Sequence, residues 1–96
     1  MELRHLRYFV TVGEELHFGR AATRLSIVQP SLSQQIQQLE DELGFPLLYR
    51  TKRSVELTDA GKVFLSEAKR VLAQVQEAKR AAQRAYRGEV GRLVVG

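Results

Sequence analysis

A chain of 96 residues, 44% of them hydrophobic, has room for one domain with a small core plus an extended element. It contains no cysteine, which excludes disulfides and thiolate metal sites, and no apolar run nears the ~20 residues of a membrane helix. The net charge of +4 is compatible with an anionic partner, yet residues 1–58 sum to zero, with seven Lys/Arg against seven Asp/Glu.

The opening MELRHLRYFV lacks the long apolar stretch of a signal peptide, so the expected setting is cytoplasmic. Leu3, Leu6, Phe9, Val10 and Val12 follow a three-to-four spacing that predicts a helix over 3–15. A short connection leads to a second helix over 18–25, where Ala21 and Ala22 let another helix approach closely. Ser26, Ile27 and Val28 form the turn, with Ile27 tucked into the core. Pro30 suits the first turn of a third helix, because its fixed φ and missing N–H cost nothing there. Leu32, Ile36, Leu39 and Leu43 carry that helix to Gly44, a natural left-handed stop. Glu40, Asp41 and Glu42 crowd its C-terminal end, where the helix dipole disfavours them. Keeping that end away from an anionic partner is one rationale.

Phe45-Pro46 enforces an extended turn. Residues 47–50 and 55–57 then alternate as two short strands around the polar tip 51–54, which reads as a β-hairpin wing. Thr58 can cap a last helix, and Asp59 suits the positive end of its dipole. That helix runs to Tyr86, about 40 Å at ~1.5 Å per residue. Phe64, Ala68, Val71, Val75, Ala78, Ala82 and Ala85 repeat at four and three along it, a heptad seam. The small head offers too little cover for so long a helix, so the seam is expected to lie against a second copy. Gly88 and Gly91 break the helix, and residues 92–95 read as a strand that opens a further domain.

The face of the third helix is rich in Gln and Ser. Gln29, Pro30, Ser31, Ser33, Gln34 and Gln37 are the candidates to meet DNA base edges, since Gln and Ser both donate and accept hydrogen bonds. An isolated helix with this composition would simply be solvated; the turn before it and the wing after it favour the groove. Arg50, Thr51, Lys52 and Arg53 at the wing are candidates for phosphate or the minor groove, with Arg50 the weakest of them because a strand-end Arg can instead pair with a carboxylate at the core edge. Arg20 and Arg24 are divided evenly between phosphate and an internal salt bridge. His5 and His17 lack metal-ligand partners, the carboxylates show no catalytic pairing, and nothing resembles a nucleophile with its base. An enzyme is not expected, nor a metal or cofactor in this fragment.

This arrangement resembles the N-terminal domain of LysR-type transcriptional regulators. The resemblance rests on Leu6, Phe9, Phe18, Ala21-Ala22, Leu25, Gln29-Pro30, Leu32-Ser33, Ile36, Leu39-Glu40, Leu43-Gly44, Leu47-Leu48, Arg50, Leu57-Thr58 and Gly61. The opening segment looks like the subgroup that controls aromatic-compound breakdown. The resemblance implies a mainly α fold: a winged helix-turn-helix over 1–58, a linker and dimerisation helix over 59–87, and from 88 to 96 a hinge into an effector-binding domain. It implies a bacterial regulator that binds promoter DNA at an interrupted palindrome as a homodimer. In full length it implies a tetramer, a small-molecule inducer and RNA polymerase as a candidate partner. The sequence departs from the family pattern at Val28 and His17, where Ser is common, and at Gln34, where Arg is common. Arg favours guanine and Gln favours adenine, so the base preference at that step is open. The rival reading is a coiled-coil interaction module with a small helical head and no DNA specificity.

Overall fold

The computed structural model describes residues 1–88. In chain order they form α1 (Leu3–Glu15), α2 (Phe18–Leu25), α3 (Gln29–Leu43), β1 (Leu48–Arg50), β2 (Val55–Leu57) and α4 (Asp59–Tyr86). The expected strand at 92–95 and the hinge lie outside the described residues.

Each helix starts and stops for a local reason. The His5 ring reaches back so that its Nδ1 accepts from the Glu2 backbone N–H at 3.0 Å, closing the start of α1. Its Nε2 therefore carries the proton and donates to Gln35 Oε1 at 2.8 Å, which ties α1 to α3. His17 caps α2 by accepting from Arg20 N at 2.9 Å, so the imidazole takes over the role a serine hydroxyl would play. Val28 precedes α3 in extended conformation and supplies no side-chain cap. Gly44 ends α3 at φ 90°, a conformation that costs a side-chain-bearing residue about 1–2 kcal/mol. Thr58 Oγ1 accepts from Gly61 N at 2.9 Å and donates to the Pro46 carbonyl at 3.0 Å, so one hydroxyl starts α4 and holds the approach to the hairpin.

The core is a single cluster of Phe9, Val12, Ala21, Ala22, Leu32, Ile36, Leu39, Leu47 and Leu48. Ala21 and Ala22 allow α2 to sit against α1 and α3, which makes α2 and α3 the helix-turn-helix. Ile27 packs against this cluster from the turn. The two strands are antiparallel, with Leu48 opposite Leu57, Tyr49 opposite Glu56 and Arg50 opposite Val55. Leu48 and Leu57 face the core, so the hairpin stands as a wing on the edge of the head. Gly61 lets α4 pass directly over the Leu47 carbonyl, because a Cβ there would overlap that oxygen.

The first turns of α4 belong to the head. Phe64 stacks on Phe9 with ring centroids 5.5 Å apart, Leu65 fills the space above Gly13, and Ala68 is buried. Lys69 reaches Glu14 at 3.6 Å on the same contact. At the start of the heptad seam, Phe64 is half-buried against Phe9 of its own α1, and Ala68 is already buried within one chain. Heptad spacing reports an apolar stripe, not what covers it, and α1 meets α4 at Phe64, Leu65 and Lys69. Beyond that contact Val71, Ala78, Ala82 and Ala85 are exposed and Val75 is half-buried. No helix among the described residues is long and apolar enough to cross a membrane.

Candidate nucleic-acid interface

The head, α3 and the wing form one surface around a cleft of about 350 Å³. His17, Phe18 and Gly19 at the start of α2 line one side, Gln29 and Ser33 of α3 the floor, and residues 50–55 of the wing the other side. The rigid backing of this cleft comes from a carboxylate. Glu40 is buried, and its Oε2 accepts from Leu47 N at 2.7 Å and Leu48 N at 3.1 Å. Its other oxygen faces the Arg50 guanidinium at 3.6 Å. The turn into β1 thus has its donors satisfied by α3, which fixes the wing relative to that helix.

Arg50 is the hub of the cleft. It lies 4.6 Å over the Phe18 ring, donates to Ser33 Oγ at 2.9 Å and pairs with Glu40. Of the two readings open for Arg50, the structure supports the core-edge carboxylate. Ser33 Oγ accepts from the same guanidinium, which orients the serine and leaves its own O–H free to donate. Gln37 is likewise engaged, donating to Asp41 at 2.9 Å.

The remaining polar residues of α3 are different. Ser31, Gln34 and Gln38 are exposed, follow one another at three and four, and make no side-chain hydrogen bond among the described residues. Gln29 and Pro30 are exposed beside them at the helix start. Four of the candidates therefore divide into an outward row and an engaged row: Ser31 and Gln34 face solvent, whereas Ser33 accepts from Arg50 and Gln37 donates to Asp41. Gln29 Oε1 stands close to the space above Gly19, so it borders the cleft.

At the wing tip, Thr51 Oγ1 accepts from Ser54 N at 3.0 Å and Arg53 N at 3.2 Å, and Thr51 N donates to the Ser54 carbonyl at 2.9 Å. Thr51 shapes the turn, and that turn projects Lys52 and Arg53 into solvent with no side-chain partner among the described residues. They are the open cations of this surface.

Arg20 and Arg24 on α2 are neutralised. Arg20 pairs with Glu15 at 3.3 Å, and Arg24 with Glu15 at 3.1 Å and Glu14 at 3.2 Å. The hydrogen bond to Glu15, then that to Glu14, holds the Arg24 guanidinium above its ordinary value. The salt-bridge reading of Arg20 and Arg24 is the one observed. The acidic end of α3 also has partners: Glu40 braces the wing, Asp41 takes Gln37, and Glu42 meets the terminal ammonium of Met1 at 2.7 Å. Those contacts replace repulsion from an anion as the account of that cluster. Sequence reasoning missed Glu40 as an architectural residue and His17, Phe18 and Gly19 as walls of the cleft. The one signal available was an acidic residue at a helix C-terminus, where only a specific partner offsets the dipole.

The lysR-family model, described as a bacterial regulatory helix-turn-helix protein, matches residues 3–62. The HTH-type transcriptional regulator AlsR of Bacillus subtilis (strain 168) is 59% identical over 96 residues, which is 100% of this chain and 32% of AlsR. The chain thus spans about a third of that relative. The structure of the BenM_DBD/catB site 1 DNA complex superposes with a TM-score of 0.89 at 48% identity, covering 93% of this chain and 96% of that one. The CbnR_DBD–DNA complex gives 0.87 at 41% identity, covering 90% and 99%. With its core, helix-turn-helix and wing all inside the matched segment, the chain belongs to the lysR family of bacterial regulatory helix-turn-helix proteins.

Proposed function

We propose that this chain is the sequence-specific DNA-binding part of a transcription regulator, with α3 in the major groove and the wing on the flanking backbone. The observation that carries it is the outward row of Ser31, Gln34 and Gln38 beside two unpaired cations, Lys52 and Arg53. Gln and Ser present donors and acceptors to base edges, and the cations meet phosphate. Gln29 and Pro30 sit at the end of α3 that enters deepest. The likeness to BenM_DBD and CbnR_DBD, both solved with DNA, supports this reading.

The exposed part of the α4 seam, from Val71 to Ala85, is the surface for a second copy. A homodimer brings two heads to two half-sites of an interrupted palindrome. The division into a DNA-binding head, a dimerisation helix and a hinge to an effector domain belongs to the same proposal, with α4 serving both of the first two. So do the tetramer, a small-molecule inducer bound beyond this fragment, contact with RNA polymerase, a cytoplasmic setting and the absence of catalysis. An aromatic-compound regulon rests on the opening segment alone.

The test is duplex-DNA binding across a salt series. A log–log fall in affinity whose slope scales with the number of phosphates contacted is expected. Arg53→Ala flattens that slope by about one unit if Arg53 neutralises one phosphate. Binding that is absent or indifferent to salt refutes the proposal and favours the interaction module.

A further inference from the structure

Val28 is the residue that the function outlined above leaves without a role. It sits at the position ahead of α3 where a polar cap would stabilise the helix by roughly 1 kcal/mol, and it makes no such bond. It is 68% exposed, so the core does not use it either. Its backbone is held firmly: Ile27 N donates to the Ala22 carbonyl at 3.0 Å, and the Val28 carbonyl accepts from Leu32 N at 3.1 Å. Its side chain is β-branched and stiff. A fixed aliphatic group thus stands at the leading edge of the surface that carries Gln29, Pro30, Ser31 and Gln34.

A major groove offers one apolar feature at its base edges, the C5-methyl of thymine. We infer that Val28 is a specificity-determining residue that packs on a thymine methyl at one position of each half-site. The inference rests on the DNA-binding reading above. Chemically it is a shape and desolvation contact: two methyl groups of Val28 cover a third on the base, and water leaves both. Cytosine and uracil present hydrogen there instead of methyl, so both lose the contact.

The experiment replaces each thymine of a selected high-affinity duplex with deoxyuridine, one position at a time. This removes a methyl and preserves every hydrogen-bonding group. The protein is compared with Val28→Ala, since valine and alanine are both poor caps and helix stability is little changed. Wild-type binding should weaken about fourfold at one thymine per half-site, the equivalent of ~0.8 kcal/mol for one buried methyl(ene) group. Val28→Ala should bind the thymine duplex more weakly and show no response at that position, while Val28→Ile keeps the response. A uracil scan that is flat for the wild type, or identical for wild type and Val28→Ala, overturns the inference and leaves Val28 an ordinary exposed side chain. In that outcome the salt-dependent binding of the unmodified duplex still stands. Loss of all salt-dependent DNA binding by the wild type instead overturns the functional reading and this inference with it.

Discussion

Removing the Glu40 carboxylate should uncouple the wing from α3. In Glu40→Ala the backbone N–H groups of Leu47 and Leu48 lose the oxygen that accepts both of them. These two bonds are buried, and Leu47 and Leu48 are themselves core residues, so water has little access. Each buried donor left unsatisfied costs ~1–3 kcal/mol, so the pair costs about 2–6 kcal/mol, the lower end applying if the turn relaxes toward solvent. Arg50 loses its ion pair as well, but its side chain is 30% exposed and retains Ser33 and the Phe18 ring, so little is added. Glu40→Gln keeps one carbonyl oxygen for the two amides but turns a donor toward Arg50, and an intermediate loss is expected. Urea unfolding followed by circular dichroism measures the loss. Amide hydrogen exchange at Leu47 and Leu48 reports whether it originates at the turn. If Glu40→Ala unfolds within about 0.5 kcal/mol of wild type, the range of an ordinary surface substitution, the bracing argument is wrong.

Gln34→Ala should weaken cognate binding by roughly 1–3 kcal/mol and non-specific binding much less, whereas Gln34→Arg moves one base pair per half-site from adenine toward guanine; selection on randomised half-sites reads both, and identical preferred sequences would remove Gln34 from the base-reading set. Val71→Glu places a charge on the exposed seam and should convert a dimer to monomer in light scattering, while a wild-type chain monomeric at high micromolar concentration defeats the seam reading. Gly61→Ala pushes a methyl into the Leu47 carbonyl and should cost ~1–3 kcal/mol in thermal or urea unfolding, with no loss meaning that α4 slides freely over the hairpin. The hydrogen bond from Arg84, then its charge and that of Arg80, holds the Glu77 carboxyl below its ordinary value. The folded form is therefore favoured above that ordinary value, and the contribution disappears as pH falls through the depressed one. Helicity of the outer α4 turns should drop slightly over that acid range, less so in high salt and not at all in Glu77→Gln; a drop equal in Glu77→Gln assigns it elsewhere.

The helices, the hairpin and their order were legible in the chain, because each is set by local spacing, by start signals such as Pro30 and Thr58, and by stop signals such as Gly44 and Gly88. The structure starts α3 one residue earlier, at Gln29, and β1 one later, at Leu48, both within the fraying of element ends. The surface that faces a partner was legible only as a list of residue types. Tertiary structure decided how those residues are engaged: the Arg50 guanidinium donates to Ser33 and pairs with Glu40, Gln37 donates to Asp41, and Ser31, Gln34, Lys52 and Arg53 are left outward. It also split the heptad stripe, packing Phe64 on Phe9 and burying Ala68 while leaving Val71, Ala78, Ala82 and Ala85 exposed. Periodicity determines that a face is apolar or polar, since it follows from residues three or four apart on one helix. What covers that face is settled by residues far apart in sequence, such as Phe9 with Phe64 or Glu40 with Leu47, which only the packed chain brings together.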